Sequence, residues 1–338
     1  MRRPAELFKF ILVLSGLLAL ATQAQSRVAE AEEQEAQRWL RKIPHAAQTL
    51  SYSGTFIYQQ GSRARTSRIT HVMQGKSELE KLEVLDGKPR EYVRKNEEIV
   101  YYAPDEKAML VERRITREGF PSILARDVDN LGAYYQLRLG EMSRVAGYDC
   151  QVIELDPRDK LRHGYRLWVE KTSGLLLQAQ TVGEGKVLEQ IAFTQLALGN
   201  ISPQLVRPSY AEVGNWRVEK SKLQHVEVPD LNIGFLPPGF KKTMAVKRRF
   251  PQSAADTLDM GETLAAREVV QLVFSDGLAA ISIFIEPGSH SGIEGAIQQG
   301  AVNIVGKRLG DFWLTIVGEV PVTAVRQVAN SVEFKSHK

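Results

Sequence analysis

Ser51-Tyr-Ser-Gly-Thr-Phe-Ile-Tyr58 decides the fold, because here the apolar residues change their spacing. Before it, Ala36, Trp39, Leu40, Ile43, Ala47 and Leu50 recur every three or four positions, which predicts a helix over residues 28–50. Pro44 lies inside that pattern, where its ring presses on the carbonyl of Leu40, so a kink or a restart is expected there. From Ser51 the period is two. Tyr52, Gly54, Phe56 and Tyr58 fall on one face of a strand, and Gln60-Gly61-Ser62 turns it.

The alternation continues outward. Residues 65–73 and 79–85 read as strands, and Asp86-Gly87 is a strong hairpin dipeptide. Residues 91–93 and 99–102 flank a turn at Asn96, and 108–111 add another strand. Residues 119–132, with Pro121, read as a loop with one helical turn. Strands resume near Tyr135 and run through 152–155, 165–169, 175–181 and 187–193, the last two pairing across Gly183-Glu-Gly185. Short β segments punctuated by Gly, Asn and Asp predict an antiparallel sheet or barrel packed on the N-terminal helix.

Pro203 and Pro208 cannot donate to a sheet ladder, so residues 200–213 read as a linker. The expected divisions are 25–199, 200–213 and 214–338, after a leader over 1–24. The last division opens with Trp216-Arg-Val218 and contains a basic strand over 243–250. Residues 269–274 and 278–285 pair across Ser275-Asp-Gly277, and 301–309 pair with 312–317. Pro321 suits the first turn of a closing helix with Val322, Val325, Ala329 and Val332 on one face.

The leader places Arg2 and Arg3 before an apolar run over 10–21, closed by small residues at Ala19, Ala21 and Ala24. That is the pattern of a secretory signal peptide, and the run is short for a membrane span. No later segment is apolar enough to span. The whole chain carries a net charge of only +4, and Arg2, Arg3 and Lys9 supply part of it. This excludes the strong basic bias that marks nucleic-acid partners. Cys150 is the single cysteine, so no internal disulfide is available, and its alternating surroundings predict a buried apolar thiol.

The search for chemistry comes back empty. The six histidines, His45, His71, His163, His225, His290 and His337, show no metal-binding spacing. His71 reads as a sheet or surface residue and His163 as a turn residue. There is no G-x-S-x-G elbow, P-loop or dinucleotide fingerprint. Gly288-Ser-His-Ser-Gly-Ile-Glu-Gly295 reads as a loop rather than a phosphate cradle. No catalytic residue, metal or cofactor is therefore assigned.

What remains is binding surface. Arg63, Arg65 and Arg68 cluster in one hairpin, Arg113, Arg114 and Arg117 where a strand meets a loop, and Lys241, Lys242, Lys247, Arg248 and Arg249 in the second half. Charged sheet edges explain such clusters, and so does an acidic lipid headgroup or partner segment. Phe56, Tyr58, Ile99, Tyr101, Leu110, Leu167, Val169, Leu176 and Ile191 are candidates for an apolar lining, filling the core or holding acyl chains.

Several longer stretches carry a resemblance. They are Tyr52-Ser-Gly-Thr-Phe-Ile-Tyr58, Glu80-Lys-Leu-Glu-Val-Leu-Asp-Gly-Lys-Pro-Arg-Glu91 and Val145-Ala-Gly-Tyr-Asp-Cys-Gln-Val-Ile-Glu-Leu-Asp-Pro-Arg-Asp159. Gly164-Tyr-Arg-Leu-Trp-Val-Glu-Lys-Thr-Ser-Gly-Leu-Leu-Leu177, Leu272-Val-Phe-Ser-Asp-Gly-Leu278 and Val317-Gly-Glu-Val-Pro321 join them. Over nearly the whole chain after the leader, the sequence resembles the MucB/RseB family of periplasmic regulators of the envelope-stress sigma factor. The resemblance implies a mainly β fold. Its first part is an unclosed β-barrel of the lipoprotein-carrier (LolA/LolB-like) type with helices over the opening, and its second is a smaller antiparallel β domain. It implies a non-enzymatic protein that binds the periplasmic part of a membrane anti-sigma factor (RseA/MucA type) and shields it from site-one proteolysis. Lipid A, lipopolysaccharide or fatty acids would release it. Self-association is left open. A periplasmic lipid or lipoprotein carrier is the alternative, which leaves the second domain without a task.

Overall fold

The computed structural model describes residues 4–113, 119–125, 128–210, 212–221, 223–228, 230–250, 267–288 and 294–334. Helix α1 (Pro4–Thr49) runs through Pro44, so the restart expected there does not occur. Ile43, Ala46 and Ala47 are buried on either side of the proline. Their packing holds both turns against the sheet and offsets the hydrogen bond that proline removes.

Strands β1 (Tyr52–Gln60), β2 (Arg63–Gln74), β3 (Ser77–Val84), β4 (Arg90–Lys95), β5 (Glu98–Ala103) and β6 (Ala108–Arg113) form successive antiparallel hairpins. The turn residues do what the sequence asked of them. Asn96 takes a φ of 57°, the left-handed region that Asn tolerates best among residues with a side chain. A short helix α2 (Leu131–Tyr134) then leads into β7 (Tyr135–Val145), β8 (Tyr148–Pro157), β9 (Gly164–Glu170), β10 (Leu176–Gly183) and β11 (Lys186–Leu198). β11 returns to pair with β1, which joins the two runs into one sheet. The pairing bulges between Thr55 and Phe56. Beside the bulge, a Cβ on Gly54 would stand 2.6 Å from the Gln195 carbonyl and 2.7 Å from the Phe193 ring, so only glycine fits.

Residues 202–210, within the stretch expected as a linker, are bound along the sheet. Val206 is buried in a 3-10 turn (Pro203–Val206), and the Ser202 side chain accepts from Gln204 N–H. Lys81 Nζ donates to Ser209 Oγ at 2.7 Å, and Ser209 N–H donates to Glu91 at 2.9 Å. Tyr210 and Trp216 pack against Tyr102 and each other in tilted and edge-on contacts. The prolines do stop ladder pairing, but the strap satisfies its backbone through side chains instead. Strand β12 (Arg217–Ser221), expected to open the second sheet, lies parallel to β6 on the edge of the first. The strap delivers it there. The large sheet thus has twelve strands in the order β12-β6-β5-β4-β3-β2-β1-β11-β10-β9-β8-β7, and its end strands do not pair with each other. It is the mainly β, unclosed architecture that the sequence predicts.

Strands β13 (Gln224–His225), β14 (Leu231–Ile233), β15 (Lys241–Phe250), β16 (Arg267–Ser275), β17 (Ala280–Pro287), β18 (Gly295–Gln299), β19 (Val302–Leu309) and β20 (Phe312–Gly318) follow. All but β14 form an antiparallel sheet in the order β13-β15-β16-β17-β20-β19-β18. Helix α3 (Val322–Ser331) begins after Pro321 and packs Ala324, Val325, Val328 and Ala329 on Ile281, Ile283, Leu314 and Ile316. Strand β21 (Val332–Phe334) closes the chain by pairing with β14.

Candidate functional site

The nine expected lining residues share one face of the large sheet. The register runs Phe56 and Tyr58 beside Phe193 and Ile191, then Ala179, Leu167 and Val169, with Leu176 opposite Val169. In the other direction it runs Gly54, Ile69, Leu82, Tyr92, Tyr101 and Leu110, with Ile99 two residues from Tyr101. They do not share one environment. Leu167, Val169 and Leu176 are fully buried beneath Ala36, Leu40 and Ile43 of α1. Phe56 is buried against Phe120 and Phe193. Tyr58 and Ile191 face a cavity beside the second domain. Ile99, Tyr101 and Leu110 are half-buried, as are Leu82 and Tyr92 beside them. The single lining expected from alternation therefore divides, because helix α1 packs on the β7–β10 end of the sheet.

The part of the face away from α1 is, among the described residues, an aromatic and aliphatic strip. Tyr92 and Tyr101 pack at a centroid distance of 4.8 Å, and burial pushes the Tyr101 hydroxyl up to about 12. Arg90 donates to Glu106 Oε1 at 2.7 Å and to Asp105, and Arg94 donates to Glu78 at 2.6 Å and Glu80 at 3.1 Å. These guanidiniums are committed to carboxylates beside the strip. His71 is fully buried with Nδ1 2.7 Å from the Leu50 carbonyl and Nε2 3.1 Å from Glu78 Oε1. It ties the end of α1 to β3 and lies well away from the surface that one reading gave it.

The basic residues are not brought into one patch. Arg63 and Arg65 are exposed and share the face of Tyr58, whereas Arg68, also exposed, is on the opposite face across from Glu83. Arg113 pairs with Glu97 at 2.8 Å. Lys241 and Lys242 are exposed, Lys247 pairs with Glu268 at 2.6 Å, and Arg248 is half-buried and donates to Gln271. Arg114, Arg117 and residues 289–293 of the glycine-rich loop lie outside the described residues, as does the side chain of Arg249. Cys150 is fully buried, and burial raises its thiol to about 11, which leaves it unreactive near neutral pH.

Sequence reasoning missed the junction of the two domains. Arg162 Nη1 donates to Asp276 Oδ2 at 2.7 Å, and both side chains are wholly buried. Arg162 also donates to the Pro238 carbonyl at 2.7 Å and to Asp159 at 3.2 Å. Its guanidinium lies 4.9 Å from the Tyr134 ring centre, 5.5 Å from that of Tyr135 and 5.7 Å from that of Phe240. Asp276 accepts Tyr135 O–H at 3.1 Å and the N–H groups of Leu278 and Ala279. The pair is thus fully hydrogen-bonded, the condition under which a buried charge pair is tolerated. Ala125 N–H donates to the Gly277 carbonyl, His163 Nε2 lies 3.2 Å from the Ala301 carbonyl, and Leu278 enters the core beneath α1. The turn Ser275-Asp-Gly277, legible as a hairpin, is also the plug that joins the domains.

Among the described residues no group of His, Cys, Asp and Glu could hold a metal, and no helix is long and apolar enough to cross a membrane. Comparison with known proteins gives a consistent answer. The MucB/RseB N-terminal domain matches residues 35–226, and the MucB/RseB C-terminal domain matches 227–333. The sigma factor AlgU regulatory protein MucB of Pseudomonas aeruginosa is 31% identical over 95% of this chain and 96% of its own. The sigma-E factor regulatory protein RseB of Escherichia coli is 25% identical over 87% of this chain and 89% of its own. The crystal structure of MucB in complex with MucA(peri) superposes with a TM-score of 0.66 at 29% identity, covering 89% of this chain and 100% of that one. Such relatives are regulatory proteins and not enzymes. With both halves matched in order and a relative similar along almost its whole length, the chain belongs to the MucB/RseB family.

Proposed function

We propose that the protein is a periplasmic negative regulator of an envelope-stress sigma factor. It binds the periplasmic segment of a membrane anti-sigma factor, shields it from the first cleavage, and lets go when lipid A, lipopolysaccharide or fatty acid binds. Membership of the family implies the periplasm, and the leader over residues 1–24 supplies the export route. The partner is drawn from the MucB relative, whose solved structure contains MucA(peri).

The observation that carries the lipid half is the strip of Leu82, Tyr92, Ile99, Tyr101 and Leu110. It is apolar, half-buried, and continuous with the core face that α1 covers elsewhere. Lipid releases the partner only by binding the partner-free form more tightly. Moving occupancy from 99:1 to 1:99 takes about 5.5 kcal/mol of differential affinity. Acyl methylenes contribute about 0.8 kcal/mol each when buried, so a modest length of chain suffices.

The test is protease protection. The intact protein should slow cleavage of the purified anti-sigma segment by the site-one protease, and lipid A should restore it. A segment held equally well with and without lipid would remove the switch. Unprotected cleavage would favour the carrier.

A further inference from the structure

At the domain junction lies a cavity of about 290 Å³. The first domain contributes Tyr58, Thr181, Glu189 and Ile191, and the second contributes Leu278 and Glu319. Its walls are of two kinds. Ile191 and Leu278 give an apolar side. Opposite, Glu189 accepts Tyr58 O–H at 2.8 Å and Thr181 O–H at 3.3 Å, one hydroxyl on each carboxylate oxygen.

Glu189 is half-buried, and among the described residues no cation lies within ion-pair distance of it. Neither Lys nor Arg lines the cavity. His163 is near but does not supply the charge, because burial holds its pKa below the usual histidine range. A half-buried carboxylate without a counter-charge is an arrangement that a cationic ligand would stabilise. The size is at the small end for a ligand pocket, of the order expected for one side chain rather than a many-tailed lipid. The Glu189 carboxylate would repel the phosphates of lipid A and the head of a fatty acid. The cavity is therefore chemically distinct from the apolar strip on β3–β6.

We propose that this cavity is a receptor for a cationic group on a short apolar stem, namely a lysine or arginine side chain of a polypeptide laid across both domains. The stem packs on Ile191 and Leu278 while the ammonium or guanidinium pairs with Glu189. The polypeptide source rests on the anti-sigma reading above, whereas the preference for a cation does not.

The experiment has two arms. In the first, the intact protein is titrated with n-butylguanidinium and with its neutral analogue n-butylurea, read by calorimetry and amide chemical shifts. Saturable binding of the cation is expected, with shifts at Tyr58, Thr181 and Leu278. n-Butylurea should bind about tenfold more weakly, as a lost charge-assisted hydrogen bond implies. Glu189→Gln, which keeps the size of the side chain and one of its two acceptor oxygens, should erase the difference. Equal binding of the two probes, or a preference that survives in Glu189→Gln, overturns the proposal.

In the second arm, the purified anti-sigma segment is bound to the wild type and to Glu189→Gln. A loss of about tenfold is expected. Replacing the responsible Lys or Arg of the segment by Met should then cost nothing further in the variant. A segment that binds both forms equally overturns the polypeptide source while leaving the anti-sigma reading intact. A segment that does not bind the wild type sinks that reading, and the first arm then decides the cation site alone.

Discussion

The two ends of the large sheet present the same alternation of apolar residues and meet opposite fates. On β8–β10, Ile153, Leu167, Val169 and Leu176 are fully buried under α1, and the junction with the second domain is built beside them. On β3–β6, Leu82, Tyr92, Ile99, Tyr101 and Leu110 occupy the same face and stay half-buried. The two tyrosines of the second set do not by themselves separate it, since Tyr135 and Tyr165 are buried at the covered end. What separates them is whether a helix lies over them. One end is packed into the core, and the other is the strip on which the proposed lipid binding rests.

The sharpest way to break this contrast is at the junction. Asp276→Ala strands the Arg162 guanidinium in a buried site and should cost about 3–5 kcal/mol. Urea denaturation should show it, with the two domains unfolding separately. An unchanged midpoint would mean that the second domain adds nothing to the covered end. Leu167→Ala comes next. It removes a wholly buried side chain and should cost about 2–5 kcal/mol in the same assay, with acyl binding unaffected once the protein is folded.

The mirror change at the uncovered end, Leu110→Ala, should cost less than about 1 kcal/mol, because only part of the side chain is withdrawn from water. It should instead weaken the binding of a fluorescent fatty acid several-fold. A reversal of these two outcomes would dissolve the contrast.

The smallest effect concerns acid. Burial alone would raise the pKa of Glu170, but the Ser173 and Thr172 groups that donate to it in the β9–β10 turn hold it below the usual range. Its contribution to stability is therefore complete above the unfolded value near ~4.3 and is lost as pH falls through the lower folded value. The difference in urea midpoint between wild type and Glu170→Gln should narrow across that window. A difference independent of pH would assign the turn's stability to its backbone instead.

Most of the architecture was legible because it is local. Asp86-Gly87, Asn96 and Ser275-Asp-Gly277 mark turns by their own chemistry, and the flanking strands follow from a period of two. The common face of the nine candidates was legible for the same reason. That the N-terminal helix packs on the sheet was legible too, but which strands it covers was not, because α1 is remote in sequence from β7–β10. Nor was the Arg162–Asp276 pair, whose partners are 114 positions apart and carry no local signature. β12 was assigned to the wrong sheet because a short strand does not declare its partner. β18 escaped notice because Gly-Ala-Ile-Gln-Gln has little of the β-branched character that marks a strand.

The strap over residues 203–210 and the buried arginine tie the second domain to the sheet at two separated places. The second domain is pinned to the sheet twice, at the β6 edge through β12 and near the opposite edge through Arg162. Any shift of the second domain against the sheet must therefore disturb one of these two attachments.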